Sequence, residues 1–186
     1  MNVPVVYLPN TAFGSILTVD QLCSLAPWEQ RTSARYEAFW STRNEPYTYG
    51  QGRGTRTYYP SPMPDLILEL KKHMESQVKP HVGFPLGMDM CLCFVNRYDT
   101  QYQHLGWHAD DSPEQDDDMP IVVQSYGAER ELWIRPNGTM DVSRLKLEHG
   151  STLIMLPGMQ QTHQHRIPKH PQPCGMRISL TWRALK

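Results

Sequence analysis

The sequence predicts a mainly β protein, a sandwich or barrel of the jelly-roll kind, on three observations. Beyond residue 119, short segments of strand character recur at regular spacing, over 120–126, 129–135, 144–148, 151–156, 160–167 and 176–184. Turn signals separate them, at Gly127, Pro136-Asn137-Gly138, Gly150, Pro157-Gly158 and across 168–175. Short strands punctuated in this way build sandwiches and barrels, and the strand–helix alternation of a parallel sheet is not visible. The chain of 186 residues is long enough for one domain with a real core. Its 39% hydrophobic and 20% charged residues are a globular balance, not a disordered one. The formal net charge of −1 provides no overall positive field, so a nucleic-acid partner would have to be held by a local basic patch.

Residues 5–8 read as a short strand. Thr18-Val19-Asp20-Gln21 carries the capping-box pattern, so a helix follows to about Ala26, where Pro27 stops it. Residues 34–64 are rich in aromatics, Arg, Gly and Pro without a clean period. They are expected to form strands and loops with an exposed aromatic surface, with Arg53 on a turn at 50–54 and Arg56 just beyond. Pro64-Asp65 opens a second helix, whose Leu66, Ile67, Leu70 and Met74 recur at helical spacing to pack across the outside of a sheet, opposite Glu69, Lys71, Lys72 and Glu75. Residues 89–96 form a strong strand, and the acidic run 114–118 is expected as a solvated loop. Cys23, Cys91, Cys93 and Cys174 form no C-x-x-C pair and are expected as reduced thiols. No basic leader is visible, and no window reaches the roughly 20 apolar residues of a membrane span. The expectation is a cytoplasmic monomer without a membrane partner.

Chemistry concentrates in 96–110, NRYDTQYQHLGWHAD. In an extended segment residues i and i+2 share a face, so His108 and Asp110 would offer an imidazole and a carboxylate side by side. That is two thirds of the two-His, one-carboxylate set that holds Fe(II) and leaves positions open. Alone, H-x-D is a weak signal. A second His has to come from 160–170, where His163, His165 and His170 are all candidates and periodicity does not separate the first two. In the last strand, Ile178, Leu180 and Trp182 fall on one face, and Arg177, Ser179, Thr181 and Arg183 on the other. Two guanidiniums on one face of such a strand require solvent or an anion, because a buried unpaired charge costs several kcal/mol. The guanidinium fork suits a carboxylate. The two Cα atoms would lie roughly 20 Å apart at about 3.3 Å per residue, too far for one small dicarboxylate to sit over both.

In order and spacing, NRY at 96–98, WHADD at 107–111, LEHGSTLIM at 147–155, HQHRIPK at 163–169 and RISLTWR at 177–183 resemble the motifs of the AlkB family of Fe(II)- and 2-oxoglutarate-dependent dioxygenases. The resemblance runs from about residue 34 to the end. It implies one dioxygenase domain over 1–186. A double-stranded β-helix (jelly-roll) core would occupy about 89–186, after a nucleotide-recognition extension over about 1–88 with a substrate lid and one or two packing helices. It implies Fe(II) on His108, Asp110 and His165, the last because the family's distal ligand directly precedes the segment that here reads Arg166-Ile167-Pro168-Lys169. His163 then belongs to the wall. Asn96 and Tyr98 match positions that hydrogen-bond 2-oxoglutarate, and Arg177 matches the partner of its far carboxylate. Ser179 stands where the motif's central residue is Asn. Arg183 matches a second motif position nearer the metal, reaching the co-substrate or Asp110. Trp40, Tyr47, Thr48 and Tyr49 resemble an aromatic lid over a target base, with Phe39 as an alternative to Trp40. Ser112 stands where relatives often carry an acidic residue near the substrate, with Glu114 close by.

The implied activity consumes 2-oxoglutarate and O2 and oxidises an N-methyl group on a base, which leaves as formaldehyde. The substrate would be alkylated DNA, single-stranded or locally opened, or else RNA. Arg53, Arg56, Lys71 and Lys72 are candidates for phosphate contacts. Three other readings stand beside it. One is the same chemistry on an RNA base, a methylated pyrimidine or a protein side chain. Another is a non-catalytic jelly-roll binding module. A zinc hydrolase on the same His/Asp cluster would leave Arg177 and the Asn96/Tyr98 pair unexplained.

Overall fold

Alternation along the last strand decides how the molecule is layered. In the computed structural model, which describes residues 3–11, 13–49, 55–82 and 89–186, Ile178, Leu180 and Trp182 enter one apolar cluster on the helix side of the sheet. Arg177, Ser179, Thr181 and Arg183 line a pocket on the other side. The strands, in chain order, are β1 (Val5–Leu8), β2 (Glu29–Thr32), β3 (Arg35–Ser41), β4 (Tyr47–Tyr49), β5 (Arg56–Tyr58), β6 (Ser61–Pro62), β7 (Leu92–Tyr98), β8 (Leu105–His108), β9 (Ile121–Gly127), β10 (Arg130–Pro136), β11 (Ser143–Leu147), β12 (Thr152–Met155), β13 (His163–Ile167) and β14 (Arg177–Arg183). The helices are α1 (Val19–Leu25), α2 (Asp65–Val78) and α3 (Met159–Thr162).

A larger sheet runs in the order β1-β12-β9-β14-β7-β3-β2, with β6 beside β3; a smaller one runs β11-β10-β13-β8; β4 and β5 form a separate ribbon. Ile121, Val123, Leu153 and Met155 of the larger sheet join Leu132, Ile134, Leu147 and Ile167 of the smaller in one cluster, so the two inner faces form the jelly-roll interior. On the outer face of the larger sheet, Ile67, Leu70, Met74 and Val78 of α2 are buried with Trp40, Cys93, Val95, Leu180 and Trp182. Leu66, expected in that stripe, is only half-buried, and Val78 completes it. Thr18 makes both bonds of the capping box at α1. Gly127 ends β9 at φ 79°, and a Cβ there would collide with the Met176 carbonyl. Its bare backbone lets β14 pair closely at Arg177, its register partner.

Several expectations change. Residues 160–162 lie in α3, and strand structure begins only at His163. β8 ends at His108, so Asp110 is delivered by the following loop and not by the strand. The aromatics of 34–64 are mostly not an exposed surface: Phe39, Trp40, Tyr47 and Tyr58 are buried, while Tyr59 is exposed. Pairing is the reason: β3 lies between β7 and β2, with Trp40 in the cluster on the helix side and Phe39 packed on the other side with Tyr47 and Tyr58 of the β4–β5 ribbon. Trp40, expected in the lid, is 1% exposed and packs on the helix side, away from the pocket. The acidic run is a loop, but Gln115 within it is buried and bridges to Leu185. The turn at 50–54 with Arg53, and the boundary near 88, lie outside the described residues. No helix among the described residues is long and apolar enough to cross a membrane.

Candidate functional site

β8 and β13 are neighbours in the smaller sheet, and their register sets His108 directly opposite His165. The two rings lie 4.2 Å apart by centroid. Asp110 follows in the loop, where its backbone N–H donates to Gln160 Oε1 of α3 at 2.9 Å. Its Oδ1 is 3.6 Å from His108 Nε2 and its Oδ2 is 3.8 Å from His165 Nε2. One ligand atom from each of the three lies within 4.8 Å of the others. His108 Nδ1 sits 2.8 Å from the Gly106 carbonyl. A carbonyl only accepts, so that nitrogen carries the proton and the Nε2 lone pair is left for the cluster.

Electrostatics prepares these groups for a cation. Burial pushes both imidazoles down, and the neighbouring His108 helps to take His165 to about 3, so both are neutral near pH 7. Burial works to raise Asp110, but Arg183, His108 and His165 outweigh it and hold the carboxyl well below the usual range. Two neutral imidazoles and one carboxylate are the donor set of a facial Fe(II) site. The residues present fit that metal.

Arg183 ion-pairs with Asp110 at 2.8 Å. Its Nη1 donates to the Tyr47 hydroxyl at 3.4 Å, which in turn donates to Ser112 Oγ at 2.8 Å. The expected contact with Asp110 is formed, and Arg183 also lines the pocket. Ser112 therefore stands behind the ligand, in a chain of polar contacts, and Tyr47 is buried within the same chain, stacked 6.0 Å from Phe39. Thr48 pairs with Thr57 on the ribbon. Of the expected lid, Tyr49 reaches the pocket, with its ring edge-on to His108 at 6.1 Å.

The other half of the pocket is built across β7 and β14, where register places Arg177 against Tyr98 and Ser179 against Asn96. All four line one cavity with His108, Asp110 and His165. Its space of about 50 Å³ exceeds the roughly 10–15 Å³ that a single water needs. Arg177 is 1% exposed. Its Nη2 donates to Ser125 Oγ at 3.1 Å, while Nε and Nη1 have no partner. Burial pulls this guanidinium down to about 10, with Tyr98 opposing and the Arg130 cation adding to the effect. A buried cation lacking its counter-ion costs several kcal/mol. An anion in the pocket would satisfy both open N–H groups, as the far carboxylate of 2-oxoglutarate requires.

Sequence reasoning missed Arg35. Its Nε donates to Asn96 Oδ1 at 2.8 Å and its Nη2 pairs with Glu37 at 2.5 Å. With that oxygen occupied, Asn96 has its amide N–H₂ left to donate. The signal was present: Arg35, Glu37 and Phe39 alternate onto one face of β3. Arg130 was also missed; it is buried and donates to the Gln103 and Pro168 carbonyls. His163 is held by Thr162 Oγ1 and does not line the cavity. His170 lies in a loop against the Gln172 carbonyl. Among the phosphate candidates, Arg56 sits 3.7 Å from Glu37, and Lys71 pairs with Glu75 and Asp89 at 2.8 Å each, which leaves Lys72 exposed.

The family model of the 2OG-Fe(II) oxygenase superfamily matches residues 19–183. The chain is 31% identical over 184 residues to the alpha-ketoglutarate-dependent dioxygenase alkB homolog 3 of Bos taurus, an alignment covering 89% of this chain and 60% of that protein. It is 32% identical over 117 residues to the DNA oxidative demethylase ALKBH2 of Mus musculus, covering 59% of this chain and 49% of that one. The chain thus spans about 60% of the length of the alkB homolog 3 relatives it matches. Among solved structures, OsALKBH1 superposes with a TM-score of 0.67 at 17% identity, covering 99% of each chain, a likeness of fold.

Proposed function

The chain belongs to the 2OG-Fe(II) oxygenase superfamily, and from that premise we propose that it removes N-alkyl groups oxidatively from bases in nucleic acid, with single-stranded or locally opened DNA as the favoured substrate. The observation that carries this reading is one pocket holding both halves of the chemistry. Arg177 has two unmade hydrogen bonds at one end, and the His108–Asp110–His165 cluster lies at the other.

His108, Asp110 and His165 would hold the iron. Arg177, Asn96 and Tyr98 would bind and orient 2-oxoglutarate, with Ser179 beside them. Arg183 keeps Asp110 ionised and fixed in direction, and is itself steadied by Tyr47. Leu105, Val123, Leu153, Met155 and Ile167 line the remaining wall and exclude water. With iron and 2-oxoglutarate bound, the site supplies O2-dependent hydroxylation of an N-methyl carbon, yielding succinate, CO2 and a hydroxymethyl group that leaves as formaldehyde. Tyr49 is the ring placed to meet a base that has left its stack. One relative supports the substrate class through its name, the DNA oxidative demethylase ALKBH2, and the alkB homolog 3 relatives support the co-substrate through theirs. The protein would act as a monomer.

Tyr49→Ala tests the substrate role. An aromatic face against a base is worth about 1–3 kcal/mol, so affinity for a methylated DNA oligonucleotide should fall roughly 5- to 150-fold. Decarboxylation of 2-oxoglutarate without substrate should persist. Equal loss of both would assign Tyr49 to the fold. The same measurement with a methylated RNA oligonucleotide decides between the two nucleic acids.

A further inference from the structure

The outer face of the smaller sheet carries a feature that the pocket does not use. Trp107 on β8, Arg166 on β13, Trp133 on β10 and Arg144 on β11 follow one another across its four strands. Arg166 and Arg144 are both register partners of Trp133. The Arg166 guanidinium lies 4.2 Å from the Trp133 ring centroid and 5.0 Å from that of Trp107. Arg144 lies 4.4 Å from Trp133, and Arg135 lies 4.2 Å from Trp107. Two indoles and three guanidiniums therefore interleave across the whole sheet.

Among the described residues, none of these three arginines pairs with a carboxylate. Arg166 Nε is buried without a hydrogen-bond partner. The acids of the same face are engaged by groups other than these arginines: Glu131 accepts from Trp133 Nε1 at 2.7 Å, and Glu129 pairs with Lys146. The chain as a whole has a formal charge of −1, so this is concentrated positive charge on a neutral background. Stacking on indole holds each guanidinium fork in one plane, which lowers the entropy lost when the fork meets a phosphate. The rings are engaged by guanidiniums, so the face offers charged forks and not stacking platforms.

The ladder is continuous with the site at one end. Trp107 precedes the ligand His108, and with Tyr49 and His108 it lines the mouth of the site, an open cleft of about 670 Å³. At the other end, Trp133, Arg144, Lys146 and Lys169 line a groove of about 560 Å³. We propose that this Trp–Arg ladder is a track for the phosphate backbone of single-stranded nucleic acid, on which Arg135, Arg144 and Arg166 hold phosphates flanking the base presented at the mouth. The inference rests on the nucleic-acid reading above and adds to it the surface that grips the strand.

Salt dependence of binding to a fluorescein-labelled oligothymidylate of about 15 nucleotides tests it, because each phosphate contact on a single strand contributes about 0.7 to the slope of log K against log salt. Arg135→Gln/Arg144→Gln should flatten that slope by about 1.4 and weaken binding on the order of 10-fold at low salt. The exposed Arg144→Glu, which does not disturb the core, should flatten it on its own. Turnover of a free methylated nucleoside, which has no flanking phosphates, should be unchanged in both. Folded variants with the wild-type slope would overturn the ladder, as would competition by polyglutamate as strong as by unlabelled oligothymidylate. Wild-type protein that turns over the nucleoside but does not bind oligothymidylate would overturn the ladder and leave the demethylase reading intact. Salt-dependent binding without any demethylation would do the reverse.

Discussion

Arg177→Met should raise the KM for 2-oxoglutarate by on the order of 100-fold or more. Truncating one member of a buried, hydrogen-bonded charge pair costs about 2–5 kcal/mol, and this guanidinium is positioned to make such a pair with the co-substrate. The unliganded protein should not suffer in step. Arg177 is 1% exposed, keeps one side-chain bond to Ser125, and among the described residues has no carboxylate partner. Replacing an unpaired buried cation by an apolar side chain of similar reach is neutral or stabilising. The expected signature is therefore an unchanged or higher Tm without ligand, together with loss of the Tm rise that saturating 2-oxoglutarate gives the wild type through mass action. An unchanged KM would place the anchor elsewhere.

Asp110→Asn and His108→Ala should each reduce iron-dependent 2-oxoglutarate turnover to background. Asp110 is the sole anionic donor in the cluster, and His108 supplies an Nε2 lone pair freed by the Gly106 carbonyl. The asparagine is preferable to alanine at 110, since removing the side chain would leave Arg183 buried without its partner, at about 3–5 kcal/mol. Wild-type turnover in either variant would refute the metal assignment.

The jelly-roll strands were legible because their signals are local. Alternation set the two faces of β14, and glycines at 127, 138, 150 and 158, all with positive φ, mark the turns between β9 and α3. His108 and Asp110 came together as the i and i+2 spacing suggested, though a loop and Gln160 place the carboxylate. What failed was decided by partners far along the chain. Trp40 looked like a surface aromatic, yet β3 pairs with β7 and sits beneath α2, so the ring is core. Arg35 acts on Asn96, 61 residues away, and only the pairing of β3 with β7 reveals it. The Trp–Arg ladder is likewise split over four strands between residues 107 and 166, and no single segment looks basic. α3 has no apolar period; the residues 159–162 follow Gly158 in the left-handed region and put Gln160 under Asp110.

The central claim is that one pocket couples 2-oxoglutarate consumption on His108, Asp110 and His165 to demethylation of a base. The most direct measurement is the ratio of succinate to formaldehyde released when the protein, Fe(II), 2-oxoglutarate and O2 meet a methylated single-stranded oligonucleotide. The account predicts one formaldehyde for each succinate formed above the substrate-free background, and neither product from Asp110→Asn. Succinate without formaldehyde across oligonucleotides methylated on each base, or formaldehyde release that survives in Asp110→Asn, would contradict it.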